Sequence, residues 1–261
     1  MVATWLKECF QTNNTGGFIC SIDNLELLET SKNARSLIEA IRDEVLGVRG
    51  LKWVLCGARG IVRSVASSPR LQGVLADPIV VSPIDDSQIQ HLISTRLKLF
   101  SISEAAIPPV DAVGFEHLYN IGNKNLRNAL KYSEDFSFWL ADNEKIPNNP
   151  SERFELLEIW MAELASQYEQ DTASLGKRAW QVFDKLAADG GSTSPSQYEQ
   201  YGFESTQAMN PHLRDLDHAN LIESEIDESD NRRRTINISS RGWIVNYKRS
   251  GFTSIKGKVK V

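Results

Sequence analysis

The chain has 261 residues, 41 % hydrophobic and 24 % charged, with 29 Lys and Arg against 34 Asp and Glu for a formal net charge of −5. That balance excludes a disordered chain, a collagen-like repeat and a disulfide scaffold, and the length suits two domains or three small ones. No apolar run approaches the ~18 residues of a membrane span, and Lys7 and Glu8 interrupt the N-terminus where a signal peptide would be apolar, so a cytoplasmic, membrane-free protein is expected. Cys9, Cys20 and Cys56 are odd in number and lack metal-ligand spacing, which reads as buried free thiols.

Charge is segregated along the chain. Residues 231–261 hold nine basic side chains (Arg232, Arg233, Arg234, Arg241, Lys248, Arg249, Lys256, Lys258, Lys260) and no acidic one, which against the total of −5 leaves −14 on the other 230 residues. A basic end on an acidic body fits a protein that meets an anion on one side.

In chain order, 17–22 (GFICSI) is a short apolar run ending in Asp23, the pattern of a buried strand in a parallel sheet. Apolar residues at Leu37, Ile38, Ile41, Val45 and Leu46 predict an amphipathic helix over 31–46, closed by Gly47. Further strands are predicted at 51–56 (LKWVLC) and 78–81 (PIVV). After Pro83 the texture turns helical, with helices expected over 85–100, 110–119 and 125–140. The stretch Pro147-Asn148-Asn149-Pro150 reads as a linker. Three domains follow: 1–82, a partial α/β core; 83–146, a helical lid; and 147–261, a helix-turn-helix with a basic tail.

In the last of these, helices are predicted over 152–168, 174–188, 195–201 and 206–220, then strands over 221–226 and 235–239 flanking a polar tip at 227–234, and a final helix from about Ser240. Gly202 supplies the left-handed turn residue and Ser205 can cap the following helix, whose inward face is Met209, Leu213 and Leu216. Pro211 leaves an alternative in which Asn210 is the cap and Pro211 the first helical residue. The order of three helices and a hairpin is that of a winged helix-turn-helix. The segment MNPHLRDLDHANLIESEI with RRRTINIS and SRGW resembles the recognition helix and wing of MarR-type regulators and of the C-terminal winged helices of initiator ATPases. On this reading Thr206, Gln207, Asn210 and His212 face a major groove, and Arg232, Arg233 and Arg234 reach phosphates from the wing. The alternative is that the arginines balance Asp227, Glu228 and Asp230 beside them and that the winged helix serves a protein contact, since Asp215 and Asp217 would repel phosphate if they faced it.

Upstream, FICSIDN, LKWVLCGARG, SSPRLQGVLADPIVVSPIDDSQIQHLISTRL and IGNKNLRNALKYS resemble, in that order, the second half of an AAA+ ATPase, closest to the initiator and STAND-like branches. The resemblance implies that Asp23 is the magnesium-associated Walker B aspartate, acting through water, that Arg70 lies where relatives present an arginine finger, and that Arg127 matches the sensor-2 arginine of the lid. Asn24 stands where the family has its catalytic glutamate, and Gly57 and Ala58 where it has a polar sensor, so hydrolysis is expected to be impaired. No G-x-x-x-x-G-K-[ST] occurs, and 17 residues before Phe18 cannot hold the family's first strand, phosphate loop and helix.

The expectation is therefore the C-terminal portion of an ATP-dependent, DNA-associated ATPase. ATP or ADP and magnesium would bind only in a site completed by a phosphate loop from a missing N-terminal segment or partner chain. No catalytic residue acts in this chain alone. The partner class is DNA, and the resemblance also admits a homo-oligomer. Two other classes compete: a winged-helix adaptor or transcription regulator without nucleotide chemistry, and a protein-binding structural subunit.

Overall fold

A computed structural model describes residues 2–10, 16–28, 30–103, 107–147, 149–227 and 233–250. The fold is mixed α/β and mostly helical, with a two-stranded parallel sheet and a three-stranded antiparallel one. The chain divides after Val81 into two compact units, residues 1–81 with 226–234, and residues 82–225 with 235–261.

The first unit begins with α1 (Val2–Cys9) and β1 (Phe18–Ile22), followed by a 3-10 turn at Leu25–Leu28. Then come α2 (Ser31–Ala40), β2 (Leu51–Leu55) and α3 (Arg59–Ala66). Strands β1 and β2 pair parallel from Phe18↔Leu51 to Ile22↔Leu55. The predicted 31–46 helix is shorter than its apolar periodicity suggests. It is α-helical to Ala40 and continues as a π-turn over Arg42–Leu46, in which the Val45 carbonyl accepts the Trp53 indole N–H at 3.2 Å. A tertiary acceptor role thus accompanies the widened turn. Leu25, Ala34, Ile38, Leu46, Val65 and Leu71 form the core of this unit.

Three expectations fail here. Strand β1 is not buried on both faces, for Phe18 and Ile19 are exposed, Ile19 by 80 %. Residues 78–81 form no strand, and Ile79, Val80 and Val81 are exposed by 91, 53 and 91 %. An apolar β-branched run becomes a strand only when a neighbour accepts its backbone hydrogen bonds, and among the described residues no sheet strand pairs with it. Nor are the thiols buried: Cys9 is exposed, and Cys20 and Cys56 are partly so.

The second unit comprises α4 (Asp86–Phe100), α5 (Ala112–Ile121), α6 (Leu126–Asp142), α7 (Pro150–Gln170), α8 (Lys177–Ala188), β3 (Ser192–Thr193), a 3-10 helix at Pro195–Tyr201, α9 (Thr206–His218), β4 (Ile222–Asp227), β5 (Arg233–Ile238) and α10 (Ser240–Arg249). The helices over 83–146 and the elements after 147 lie in this same unit, except residues 226–234 at the β4–β5 end, which group with the first. Side chains cap most of its helices. Asp85, Asp111, Asn125, Asn149, Ser205 and Ser239 each accept a first-turn backbone N–H. In Pro-Asn-Asn-Pro, Asn149 is the cap and Pro150 the first helical residue, so the apparent linker signal is also a helix start.

Helix α10 joins two cores. Ile244 packs with Phe115, Leu118, Tyr119, Phe136, Trp160 and others of α4–α7, while its neighbour Val245 packs with Phe183, Leu186, Met209, Leu213, Leu216 and Ile236. Beside Ile244 lies a polar knot. His117 Nε2 of α5 sits 2.5 Å from Glu158 Oε1 of α7, and the Tyr247 hydroxyl of α10 lies 3.0 Å from His117 Nε2 and donates to Glu158 at 3.1 Å. Burial first, then the Glu158 charge, pushes the Tyr247 phenol well above its ordinary value. Burial likewise pushes the Tyr132 phenol on α6 up to about 12, against a hydrogen bond with Ser240 that pulls it down.

Candidate nucleic-acid interface and nucleotide site

The antiparallel sheet has the order β3-β5-β4. Strand β3 has no counterpart in the sequence reading, because two residues carry no periodicity; its only sequence signal is the Gly190-Gly191 pair before it. Gly191 has φ +82°, its carbonyl accepts the Ile238 N–H at 2.8 Å, and a Cβ there would lie 2.2 Å from the Trp243 ring. This glycine lets β3 enter the sheet under α10.

Between the 3-10 helix and α9 the chain turns at Gly202, φ +72°. Arg178 of α8 holds that turn, donating to the Tyr201 and Gly202 carbonyls at 3.2 and 2.8 Å while its guanidinium stacks 4.5 Å over Phe203. Ser205 caps α9, so Pro211 lies inside the helix rather than at its start. Pro211 has no N–H, and the carbonyl of Gln207 one turn earlier therefore lacks its usual helical donor. Met209, Leu213 and Leu216 are buried, which turns Gln207, Pro211 and Arg214, spaced four and three apart, to the exposed side together with Asp215 and His218.

The expected base-reading residues separate on this helix. Gln207 is exposed. The Thr206 hydroxyl is engaged with the Pro195 carbonyl at 3.2 Å, Asn210 is half-buried, and the His212 ring packs 5.4 Å from Phe203. Arg214 is absent from the residues expected to face a groove, although its spacing of seven from Gln207 is the signal that finds it.

Much of the basic end is neutralised within the unit. Arg241 pairs with Asp171 at 2.5 Å and lies over Tyr168, Lys248 pairs with Glu169 at 2.6 Å, and Arg249 grips Asp184 with Oδ contacts of 2.9 and 3.0 Å while lying 3.8 Å over the Trp180 ring. These three cations fasten α10 to α7 and α8, and the charge count alone overstates what is available to an external anion. Arg233 and Arg234 begin β5 rather than belonging to a tip, and Arg234 is half-buried. Arg232, the Arg233 side chain, Lys256, Lys258 and Lys260 lie outside the described residues.

In the first unit Asp23 follows the carboxyl end of β1, is exposed, and accepts the Asn24 N–H at 2.8 Å. Asn24 is left-handed at φ +58°, which turns the chain away from the strand and delivers Leu25 into the core, its N–H on the Cys56 carbonyl at 3.2 Å. A lone exposed carboxylate offers magnesium one ligand, and the rest would have to come from water and phosphate oxygens. Among the described residues no group of three His, Cys, Asp or Glu side chains is placed to hold a metal. Arg70 is exposed and sits in a polar web: its Nη1 is 3.6 Å from Glu39, its carbonyl accepts from Arg42 at 2.9 Å, and Ser68 donates to the same Glu39 at 2.5 Å. Arg127 occupies the first turn of α6, half-buried or exposed neighbours on either side, in the second unit, so Asp23 and Arg127 belong to different compact units.

No described helix is long and apolar enough to cross a membrane. No family model matches the chain, and no curated protein matches it.

Proposed function

We propose that residues 147–250 form a winged helix that docks on duplex DNA in the cytoplasm, with α9 as its recognition helix. The observation that supports this most is the sheet order β3-β5-β4 behind a helix whose outer side presents Gln207 and Arg214. Glutamine matches the donor and acceptor pair of adenine and arginine the acceptors of guanine, while the arginines of the wing meet phosphates. Fluorescence anisotropy of a labelled duplex over a salt series tests it. Binding should weaken steeply with salt, and replacing Arg232, Arg233 and Arg234 together by Ala should flatten the slope by up to about two phosphate contacts, since Arg234 is half-buried. A salt-independent or absent signal removes DNA from the account.

A protein partner is the second reading, and the surface charge around α9 favours it: Glu199, Glu204 and Asp215 are exposed and Asp217 is half-exposed. A basic peptide or protein face would suit that rim where phosphate would be repelled.

For the first unit we infer, on the resemblance to AAA+ ATPases, the Asp23 half of a nucleotide core that takes its phosphate loop and one more strand from outside this sequence. The open two-stranded parallel sheet and the unpaired run at 78–81 support that reading, since an inserted strand would satisfy both. With Asn24 in the position of the general base, such a site would bind nucleotide more readily than hydrolyse it.

A further inference from the structure

The chain passes from the first unit to the second through a stretch that hydrogen-bonds to neither. Leu75 packs against the core of the first unit and Ile84 against a core of the second, where its carbonyl also accepts the Tyr119 hydroxyl at 3.0 Å. The residues between them, Ala76-Asp77-Pro78-Ile79-Val80-Val81-Ser82-Pro83, are all exposed and make no turn or bend. Among the described residues none of them donates or accepts a hydrogen bond.

The sequence holds this stretch extended. Proline fixes φ at 78 and 83 and steers the residues before it, Asp77 and Ser82, away from the helical region. The β-branched Ile79, Val80 and Val81 prefer the extended region as well. Their exposures alternate as an extended chain requires, 91 % for Ile79, 53 % for Val80 and 91 % for Val81. Free backbone groups with apolar side chains on alternating sides are the form in which a peptide adds as a strand to another protein. Endoproteases hold their substrates in that form, and an exposed segment enters such a cleft without breaking a packed contact.

We propose that residues 76–83 are a site of endoproteolytic cleavage, cut at Ile79–Val80 or Val80–Val81 by a protease whose pockets take β-branched aliphatic side chains. Each cut consumes one water. Its oxygen joins the carbonyl carbon of Ile79 or Val80, which leaves as a carboxylate, and one proton goes to the nitrogen of the next valine, the new amino terminus. The cut severs the chain between α3 and α4 and removes no buried side chain from a core. The proposal does not rest on the nucleotide reading. A strand from outside this sequence that paired with the run would compete with the protease for the same backbone groups.

Brief digestion of the full chain with thermolysin, which cuts on the amino side of Leu, Ile, Val and Phe, tests it when the products are read by mass spectrometry. Side-chain preference alone does not select this site, because Leu97, Leu99 and Phe100 offer the same chemistry within α4. The first products should begin at Val80 or Val81, with every other bond cut at least about tenfold more slowly. Elastase should open the same stretch. Ile79→Asp, Val80→Asp and Val81→Asp together should slow the first cut at least about tenfold while the circular dichroism spectrum stays unchanged, since none of these side chains belongs to a core. Phe183→Ala, which loosens the second unit, should leave the rate of this cut within about twofold, because a bond open in the folded chain does not wait for unfolding. The proposal is overturned if the wild-type chain resists both enzymes under conditions that digest an unfolded substrate, or if the first cut falls outside 76–83. It is equally overturned if the triple variant is cut as fast as the wild type, or if Phe183→Ala speeds the cut by about tenfold or more.

Discussion

The two units solve the burial problem differently. In the second, α10 sends Ile244 into one core and Val245 into another, the His117–Glu158–Tyr247 knot satisfies the polar groups between them, and three ion pairs fasten its outer side. In the first, a parallel pair of strands leaves Phe18, Ile19 and Val54 exposed and is followed by a run of exposed β-branched residues. Parallel sheets are ordinarily covered on both faces, so the second unit has the marks of a finished structure and the first those of a structure that gains stability from something added. A partner strand or a ligand would therefore be read out in the first unit.

The largest expected effects break this comparison at its cores. Phe183→Ala removes a ring that is fully buried between α8 and its neighbours and should cost about 3–5 kcal/mol, seen as lost amide protection throughout α8, α9 and β5 in hydrogen exchange. Ile38→Ala, equally buried in the first unit, should cost about 2–5 kcal/mol, with protection lost in α2 and β2.

A smaller effect sharpens the contrast by pH. All six tyrosines lie after Val81, so tyrosinate absorbance reports the second unit alone. Tyr132, with a folded value of about 12 against 10.0 for a phenol in water, contributes stability that is fully present below pH 10 and is lost as pH rises through 12. Tyr247 and Tyr168 are shifted the same way, burial being the first cause for each. For Tyr132 the loss amounts to about 3 kcal/mol. An alkaline titration should show delayed, cooperative ionisation of these phenols with unfolding, and Tyr132→Phe should move the midpoint upward. A simple titration at the ordinary phenol value would show that these rings are not sequestered.

How much of this is legible in the sequence depends on whether the signal is local. Helix starts can be read within a residue or two where Asp85, Asn125 and Ser205 compete for first-turn N–H groups, because capping is decided by neighbours in the chain. The run at 78–81 misleads because strand propensity is realised only with a pairing partner, which local sequence does not reveal. Two-residue β3 is invisible for the converse reason, since its existence is set by β5. At the candidate interface, exposed Gln207 follows from helical spacing, but the use of Thr206 by Pro195 and of Arg241, Lys248 and Arg249 by α7 and α8 does not. Those are contacts between residues 11 to 82 positions apart, and a charge count has no access to them.

The smallest expected effect concerns those neutralised cations. Arg249 and Asp184 are 31 and 51 % exposed, so screening by water keeps their bidentate pair to about 0.5 kcal/mol, and stacking on Trp180 adds a comparable amount. A double-mutant cycle with Arg249→Ala and Asp184→Ala, followed by denaturant melts, should give a coupling no larger than about 1 kcal/mol. The informative arm is binding rather than stability. Asp184→Ala releases Arg249 from its carboxylate without removing the cation, so if that end of α10 lies near phosphate, DNA affinity should rise and its salt slope steepen by about one contact. An unchanged slope would place the C-terminal end of α10 away from any bound duplex.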